Sequence, residues 1–489
     1  MAARTIRRVE VLVNETLAGV MDIETDGLSS REHLSFTYAD SWMSSAEAFE
    51  VSPELPLRRG PPRAQHRAAS CSGAFQDASP PDDWGKKLLF EELRQQAIAK
   101  GTGRIPPTGE AGYLLLVNDA TRQGALRFRE KGQFLSSWGR SAGIRDLREL
   151  AQEARFFAET GEVKAENSLL IGAGSSPGGA QPKAWVRDDD ESMLLAKFPK
   201  TSDVGNVQLW EMVAIRLQQR AGIRVAESRL MQLSEFSHIF LTRRFDRDGE
   251  RRIPYMSVRT ALQLDTYSHP DYVKIASEVA HISAEPAQDA NEMFSRAAFI
   301  AMVNNTDDHM RNHGLLRTNK GWRLSPSFDV NPVPTGTSET PLTPNGGLFD
   351  RDVRDLLEYA DAFRLTRNAA IGRLQQVANA VSQWREEALS LGAEPDSLDY
   401  MTKAFEGENA KRMASLAPAP PAVIDMGRPS TPVPPKSHGD VWVPEHMRAG
   451  GKLVRGALSP KELNDSSHAV GFHPKAGPNF SAMSVRICT

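Results

Sequence analysis

"NNTDDHMRNHG", residues 304 to 314, gathers two Asp, three Asn, two His and an Arg into eleven positions, directly after the apolar run "MFSRAAFIAMV". A chain that leaves a buried helix and at once presents so many hydrogen-bonding groups has the makings of a site. Asp307 and Asn312 stand five apart, the separation found in a phosphoryl-transfer catalytic loop. In such a loop the Asp orients or accepts the proton of an attacking hydroxyl, and the Asn oxygen binds Mg²⁺. Magnesium prefers hard oxygen ligands and takes few of them from protein. A second ligand is expected just downstream. "SPSFDVNP" supplies Asp329, seventeen residues after Asn312 and preceded, not followed, by a Phe.

Such a site also needs cations for the phosphates of ATP. A strand-borne Lys paired with a helix Glu does this in kinases. "LLAKFP" offers Lys197 at the end of an apolar strand, and Glu211 lies in the next helix, within "VQLWEMVAI". An unpaired carboxylate would be costly to bury there. The Gly-rich stretch "GAGSSPGGAQPK" precedes the Lys strand, with Gly178 and Gly179 at its centre. It is not a Walker loop, because Ala180 stands where Lys is required. Loop, Lys strand, Glu helix, Asp/Asn loop and metal Asp follow one another in the order of a protein-kinase-like fold.

Each feature taken singly has a plainer reading. His309 and His313 are four apart beside two Asp, a spacing that suits zinc on a helix, although Gly314 follows and no HExxH is present. Lys197 could be an exposed strand-end lysine and Glu211 a residue on the solvent edge of its helix. Asp329 could be a turn former before Asn-Pro, and Ser175 and Ser176 plain loop residues.

The elements that must position these groups are legible in outline. "RVEVLVNETLAGV" (8 to 20) alternates apolar and polar residues around Asn14 and predicts a hairpin. "LSFTYADSWM" (34 to 43) reads as a further strand, and an amphipathic helix begins near Trp84. "IGAGSSPGGAQPKAWV" reads as a loop leading into a strand. "SMLLAKFP" reads as a strand ending at Lys197, and "NVQLWEMVAIRLQQRAGI" as a helix closed by Gly222. "ESRLMQLSEFSHIFLTRRFD" reads as two strands, and 255 to 405 as mainly helical. The expected class is therefore α+β and bilobed. Its parts are an N-terminal mixed α+β region (1–130), a strand-rich ATP-binding part (131–254) and a helical catalytic lobe (255–414). Seven of the 18 residues from Pro418 to Pro435 are proline, and 415–489 reads as a disordered tail.

Composition bounds the remainder. The 489 residues suggest two to four structural units. At 40% hydrophobic, 25% charged and net charge -3, the chain is an ordinary globular protein with no whole-chain case for binding nucleic acid. Cys71 and Cys488 fit no metal or redox spacing and read as free thiols in a reducing cytosol. No run of about 18 apolar residues occurs. The start "MAARTIRRVEVLV" is too short in its apolar part for a signal peptide and reads as a strand. A cytoplasmic protein with no membrane contact is expected.

With these residues in view, the sequence resembles the HipA family, serine/threonine-kinase toxins of type II toxin–antitoxin systems. "NNTDDHMRNHGLL" resembles that family's catalytic segment, "SPSFDVNPVP" its metal-binding segment and "SSPGGAQPKAWV" its Gly-rich loop. "LLAKFP" resembles its ATP-lysine strand, "FLTRRFDRDG" the strand and hinge that hold adenine, and "AFQDASPPDDWGKKLL" its N-terminal signature. The resemblance covers about residues 8 to 400 and stops before the Pro-rich tail. It implies Asp307 as catalytic base, Asn312 and Asp329 as Mg²⁺ ligands, and Lys197 and Lys183 as contacts of the ATP phosphates. Gly178, Gly179 and Ser176 then belong to the ATP loop, and Ser176 is the serine the family autophosphorylates. Pro177, inside that loop, departs from the pattern and bears on how readily Ser176 moves. The resemblance further implies phosphorylation of a translation-related protein, such as an aminoacyl-tRNA synthetase. It also implies a HipB-like helix-turn-helix antitoxin as partner, through which DNA is reached. A kinase-fold binding module acting as co-repressor, or a kinase of a small-molecule acceptor, are the alternatives.

Overall fold

The N-terminal hairpin forms as its alternation predicts. Strand β1 (Thr5–Val13) pairs antiparallel with β2 (Thr16–Thr25), with Val13 opposite Thr16. Asn14 in the turn has φ 55°, a left-handed conformation that Asn tolerates. β2 pairs with β3 (Glu32–Tyr38), and β1 with β4 (Leu126–Glu130), which continues into β5 (Gln133–Phe134). The sheet order is β3-β2-β1-β4-β5. The β4–β5 hairpin thus runs across residue 130. The strand expected over 34 to 43 ends at Tyr38, because the next residues form the short helix α1 (Asp40–Met43) and bury Trp42 in the core. Helices α2 (Gly73–Asp77), α3 (Asp83–Ala99) and α4 (Glu110–Leu116) complete this region. Its core joins Val9, Val11, Met21, Trp42, Phe75 and Phe128.

The computed structural model describes residues 5–25, 32–57, 73–79, 83–103, 105, 108–136, 142–164, 168–265, 268–338, 340–347 and 351–416. The tail expected to be disordered lies, from 417 onward, outside the described residues.

A second sheet carries the Lys strand. After α5 (Leu147–Thr160) and α6 (Leu169–Gly174) come β6 (Lys183–Arg187), β7 (Met193–Lys197), helix α7 (Val207–Arg220), β8 (Ser228–Ser234) and β9 (Ser237–Arg243). The antiparallel order is β6-β7-β9-β8. Part of the stretch expected as Gly-rich loop is helix α6. Ser168 caps it by accepting from the Leu170 amide at 3.1 Å, and Leu170 and Ile171 are buried. Gly174 ends α6 at a close approach: a Cβ there would lie 2.9 Å from Leu88 and 3.0 Å from the Lys183 carbonyl. Helix α7 begins at Asn206, whose side chain accepts from the Leu209 amide, and Gly222 follows it at φ 75°.

The rest is helical around a small sheet. A hairpin, β10 (Arg247–Asp248) and β11 (Arg251–Arg252), leads to β12 (Tyr255–Ser257), short helix α8 (Val258–Ala261), α9 (Tyr272–Ile282) and α10 (Pro286–Met302). β13 (Gly314–Thr318) pairs with β12 and with β14 (Gly321–Leu324) in the order β12-β13-β14; "GWRLS" reads as strand-like and is β14, while β12 and β13 were not expected inside the helical lobe. The cause is β13: the polar stretch at 304 to 313 turns the chain back beside β12. Helices α11 (Arg367–Val381), α12 (Trp384–Ser390), α13 (Pro395–Phe405) and α14 (Glu408–Ala414) close the largest core, where the rings of Trp384 and Phe405 stack at 4.7 Å. No helix among the described residues is long and apolar enough to cross a membrane.

Candidate active site

A cavity of about 360 Å³ lies against the second sheet, α7 and the 304–313 loop, within the size range of small-molecule sites. Alternation along β7 sends Leu194 and Ala196 into the core shared with α5 and α6, and leaves Leu195 and Lys197 on the cavity face. Helix α7 is buried on two sides. Leu209, Trp210, Val213 and Leu217 join the helical core, while Met212 and Ile215 pack on Phe240 of β9. Glu211 therefore has no route to solvent and turns towards β7.

Lys197 Nζ donates to Glu211 Oε1 at 2.7 Å and to Asp329 Oδ1 at 2.5 Å. Lys197 and Glu211 are only 5% and 4% exposed, so neither is a surface group. Burial works against the Lys197 ammonium, but the two carboxylates outweigh it and raise its pKa above the ordinary lysine range. Burial also opposes the Asp329 charge, yet Lys197 and Lys183 hold this carboxyl well below the usual range. Glu211 is pushed upward by burial, against the pull of Lys197. Asp329 has φ 58°, the left-handed region where Asp is tolerated, in line with the strain that functional residues carry. The Phe328 ring before it lies 5.5 Å from that of Phe245.

The 304–313 stretch divides into an inward and an outward set. Asp308 is buried and accepts from Tyr272 Oη at 2.7 Å, with His313 Nε2 at 3.2 Å and Arg351 at 3.4 Å. Burial alone would raise its pKa, but His313, Arg351 and Tyr272 lower it. His313 is thus committed to Asp308 and does not join His309 as a metal pair. Among the described residues no group of three or more His, Cys, Asp and Glu forms a metal site. Asp307 faces outward with its side chain 79% exposed, and His309 Nε2 is 3.8 Å from its Oδ1. Asn312 is buried, and its Nδ2 donates to the Asp307 carbonyl at 2.9 Å. This commits the amide nitrogen and leaves Oδ1 as the end to offer a cation. One carboxylate, Asp329, and one amide oxygen, Asn312, form a donor set that suits Mg²⁺, which takes few protein ligands.

The loop before β6 closes another wall. Lys183 Nζ donates to the Gly178 carbonyl at 2.5 Å. Gly179 has φ 91°, a conformation that favours glycine, and a Cβ on it would fall 2.6 Å from Lys183 Nζ and displace that ammonium. Pro177, Gly178, Gly179 and Lys183 all line the cavity. Ser176 does not. It is buried, and its hydroxyl donates to the Thr121 carbonyl at 2.9 Å. Ser175 caps α6, and the lining of the cavity begins at Pro177, next to Ser176. The Thr121 carbonyl also accepts from Arg244 at 2.8 Å, and the Arg244 guanidinium covers the Trp185 ring at 4.1 Å. Leu195, Ile215, Phe240, Phe245 and Phe328 supply an apolar wall on which a flat base can rest.

Among the cavity residues that were not singled out from the sequence are Asp77, Gln123 and Arg311. Asp77 sits in "AFQDASPP", which reads as the approach to a turn, and only the fold brings it to the cavity. The inward network of Asp308, His313, Tyr272 and Arg351 was equally hidden. Spacing to Asn312 marks Asp307 in the sequence, but nothing there shows that Asp308 is the buried one of the two.

Comparison with known proteins agrees with this geometry. The family model described as HipA N-terminal domain matches residues 9–113, and that described as HipA-like C-terminal domain matches residues 175–384. The chain belongs to the HipA family. The HipA from the Shewanella oneidensis MR-1 toxin–antitoxin system, solved with HipB and its operator DNA, is similar in fold. The TM-score is 0.59 at 18% identity, over 83% of this chain and 97% of that one. The Helicobacter pylori proinflammatory kinase CtkA aligns with a TM-score of 0.32 and 13% identity over 47% of this chain and 94% of that one. No curated protein matches. The HipA C-terminal match contains Ser176, Lys183, Lys197, Glu211, Asp307, Asn312 and Asp329, and the N-terminal match contains Asp77.

Proposed function

We propose that this chain is an ATP- and Mg²⁺-dependent protein serine/threonine kinase, the toxin of a type II toxin–antitoxin system. One observation carries the reading. Lys197, held between Glu211 and Asp329, opens on the same cavity as Asp307 and Asn312. The strand-rich part and the helical part act as the two lobes of a kinase-like fold. Asp307, exposed at the cavity, orients the acceptor hydroxyl and takes its proton. Lys197 and Lys183 hold phosphate oxygens, and Glu211 keeps Lys197 charged and in place. The apolar wall takes the base. Asn312 and Asp329 would hold Mg²⁺, which supplies charge neutralisation at the phosphates. Positioning and preorganised charge account for most of the rate, since phosphoryl transfer asks little covalent chemistry of the protein.

The acceptor is a serine of a translation-related protein, and the protein acts in the cytoplasm. Ser176 is the site of autophosphorylation. It reaches an active site only by leaving the Thr121 carbonyl. Once modified it carries a charge of about -1.5 to -2 beside the loop that must receive ATP phosphates. A HipB-like helix-turn-helix antitoxin binds the chain and carries it to operator DNA. The HipA–HipB–DNA assembly of the Shewanella neighbour and the net charge of -3 support this indirect route.

The test is intact mass after incubation with ATP and Mg²⁺, with peptide mapping, for wild type and Asp307→Ala. A gain of about 80 Da on Ser176 in the wild type alone is expected. If neither protein gains phosphate, hydrolyses ATP or binds ATP by calorimetry, the kinase reading is wrong.

A further inference from the structure

The groups assigned to phosphate all lie in the C-terminal domain match, but one residue lining the same cavity, Asp77, lies in the N-terminal one. Asp77 is the last residue of α2, a short helix whose Gly73, Ala74 and Phe75 are buried. Ala74 and Phe75 belong to the N-terminal core. Both Asp77 oxygens accept from Ser257, and the Thr260 side chain also hydrogen-bonds the carboxylate. Oδ2 accepts from the Ser257 amide at 2.7 Å, and Oδ1 from the Ser257 hydroxyl at 2.8 Å.

Ser257 is a junction. It ends β12 opposite Gly314, the residue that closes the 304–314 stretch. It also caps α8, its hydroxyl accepting from the Thr260 amide at 3.1 Å. The next two amides reach the catalytic loop itself: Val258 N donates to the His313 carbonyl at 2.8 Å, and Arg259 N to the Met310 carbonyl at 3.1 Å. These two carbonyls bracket Arg311 and Asn312. The Arg311 guanidinium, also on the cavity wall, is near enough to act on the Asp77 charge.

We infer that Asp77 is a positioning residue for phosphoryl transfer: through Ser257 and the first amides of α8, the N-terminal region fixes the loop that carries Asp307 and Asn312. This rests on the kinase reading for its consequence in turnover, but not for the anchor. The N-terminal region then does more than flank the kinase part. It places Asp77 on the cavity and sets the height of the catalytic loop. A carboxylate suits the task because two oxygens on one planar group can take an amide and a hydroxyl of the same residue at once. A Ser or Thr offers one oxygen, and an Asn offers one oxygen and a misplaced donor.

The experiment uses the full chain with Asp77→Ala, Asp77→Asn and Ser257→Ala. Two quantities are read: steady-state ATP turnover, and hydrogen exchange of the backbone at residues 257–260 and 310–314. For Asp77→Ala the Val258 and Arg259 amides are expected to exchange faster. kcat should fall about 10²-fold while KM for ATP stays within about 3-fold, as a small displacement of reacting groups produces. Asp77→Asn keeps one acceptor and should lie between wild type and Asp77→Ala on both readouts, which also serves if the alanine variant folds poorly. Ser257→Ala should shift exchange in the same segments. Unchanged exchange there in Asp77→Asn and Ser257→Ala would overturn the anchor, as would a fall in activity that only tracks the folded fraction. A wild type that neither binds ATP, turns it over nor gains phosphate, with exchange still responding, would end the kinase reading and leave the anchor standing.

Discussion

Lys197 Nζ and Asp329 Oδ1 lie 2.5 Å apart, although 132 residues separate them in the chain. Glu211 holds the same ammonium from the other side at 2.7 Å. One cation thus shares two carboxylates, and it and Glu211 are buried while Asp329 stays partly open to the cavity. The contact joins the end of a strand, the middle of a helix and a strained turn. It is the point at which the sheet and the helical part become one site.

Lys197→Ala should damage both function and fold. It leaves two carboxylates facing each other without their cation, and breaking a buried pair in this way costs about 3 to 5 kcal/mol. Loss of a preorganised positive charge at the phosphates should lower kcat/KM for ATP by about 10²-fold or more. Lys197→Met with Glu211→Gln should recover much of the stability and none of the activity. Urea unfolding together with ATP turnover separates the two effects; recovery of turnover in the double variant would contradict the role given to Lys197.

Asp307 and Asp308 are neighbours with opposite expected behaviour. Asp307 is exposed, so Asp307→Asn should leave the melting temperature unchanged and reduce kcat about 10² to 10⁴-fold, the usual share of a general base. Asp308 is buried under Tyr272, His313 and Arg351, so Asp308→Asn should cost about 3 kcal/mol of stability. Thermal denaturation and turnover measured on both variants check this. Equal loss of stability in the two would show that the inward and outward assignment is wrong.

Asp246 gives a pH dependence with a definite sign. It is buried between Arg244 and Arg247 and accepts from the Gly124 amide at 2.6 Å. Burial disfavours its charge, but the two arginines prevail and bring its pKa from 3.8 down to about 2. A folded pKa below the unfolded value stabilises the native state above the unfolded pKa, and the gain is lost as pH falls through the folded one. The contribution is about 2 kcal/mol at neutral pH and should fade between about pH 4 and 2. Asp246→Asn should therefore be clearly less stable than wild type at neutral pH, with the difference shrinking near pH 3. Denaturant midpoints at several pH values test it, and a gap that widens on acidification would refute it.

The sequence by itself marked the candidate residues whose pattern is local or ordered along the chain. Asp307 and Asn312 were picked out because the proposed kinase chemistry would need a base and a metal ligand at a fixed short spacing, and both line the cavity. Lys197 was legible because an apolar strand ending in Lys before a Glu-bearing helix is a local pattern. The hairpin at Asn14 and helix α7 followed from periodicity and end signals, which act over a few residues. Only the tertiary structure decided which of two adjacent aspartates faces inward, since Asp307 and Asp308 have the same side chain and differ only in what packs against them. It placed Ser176 under the Thr121 carbonyl and away from the cavity, because α6 extends to Gly174 and carries the serine in with it. It also brought Asp77 to Ser257, 180 residues away. Such pairings leave no mark in local spacing: the energy that selects them comes from burial and from hydrogen bonds between segments that meet only when the cores have formed.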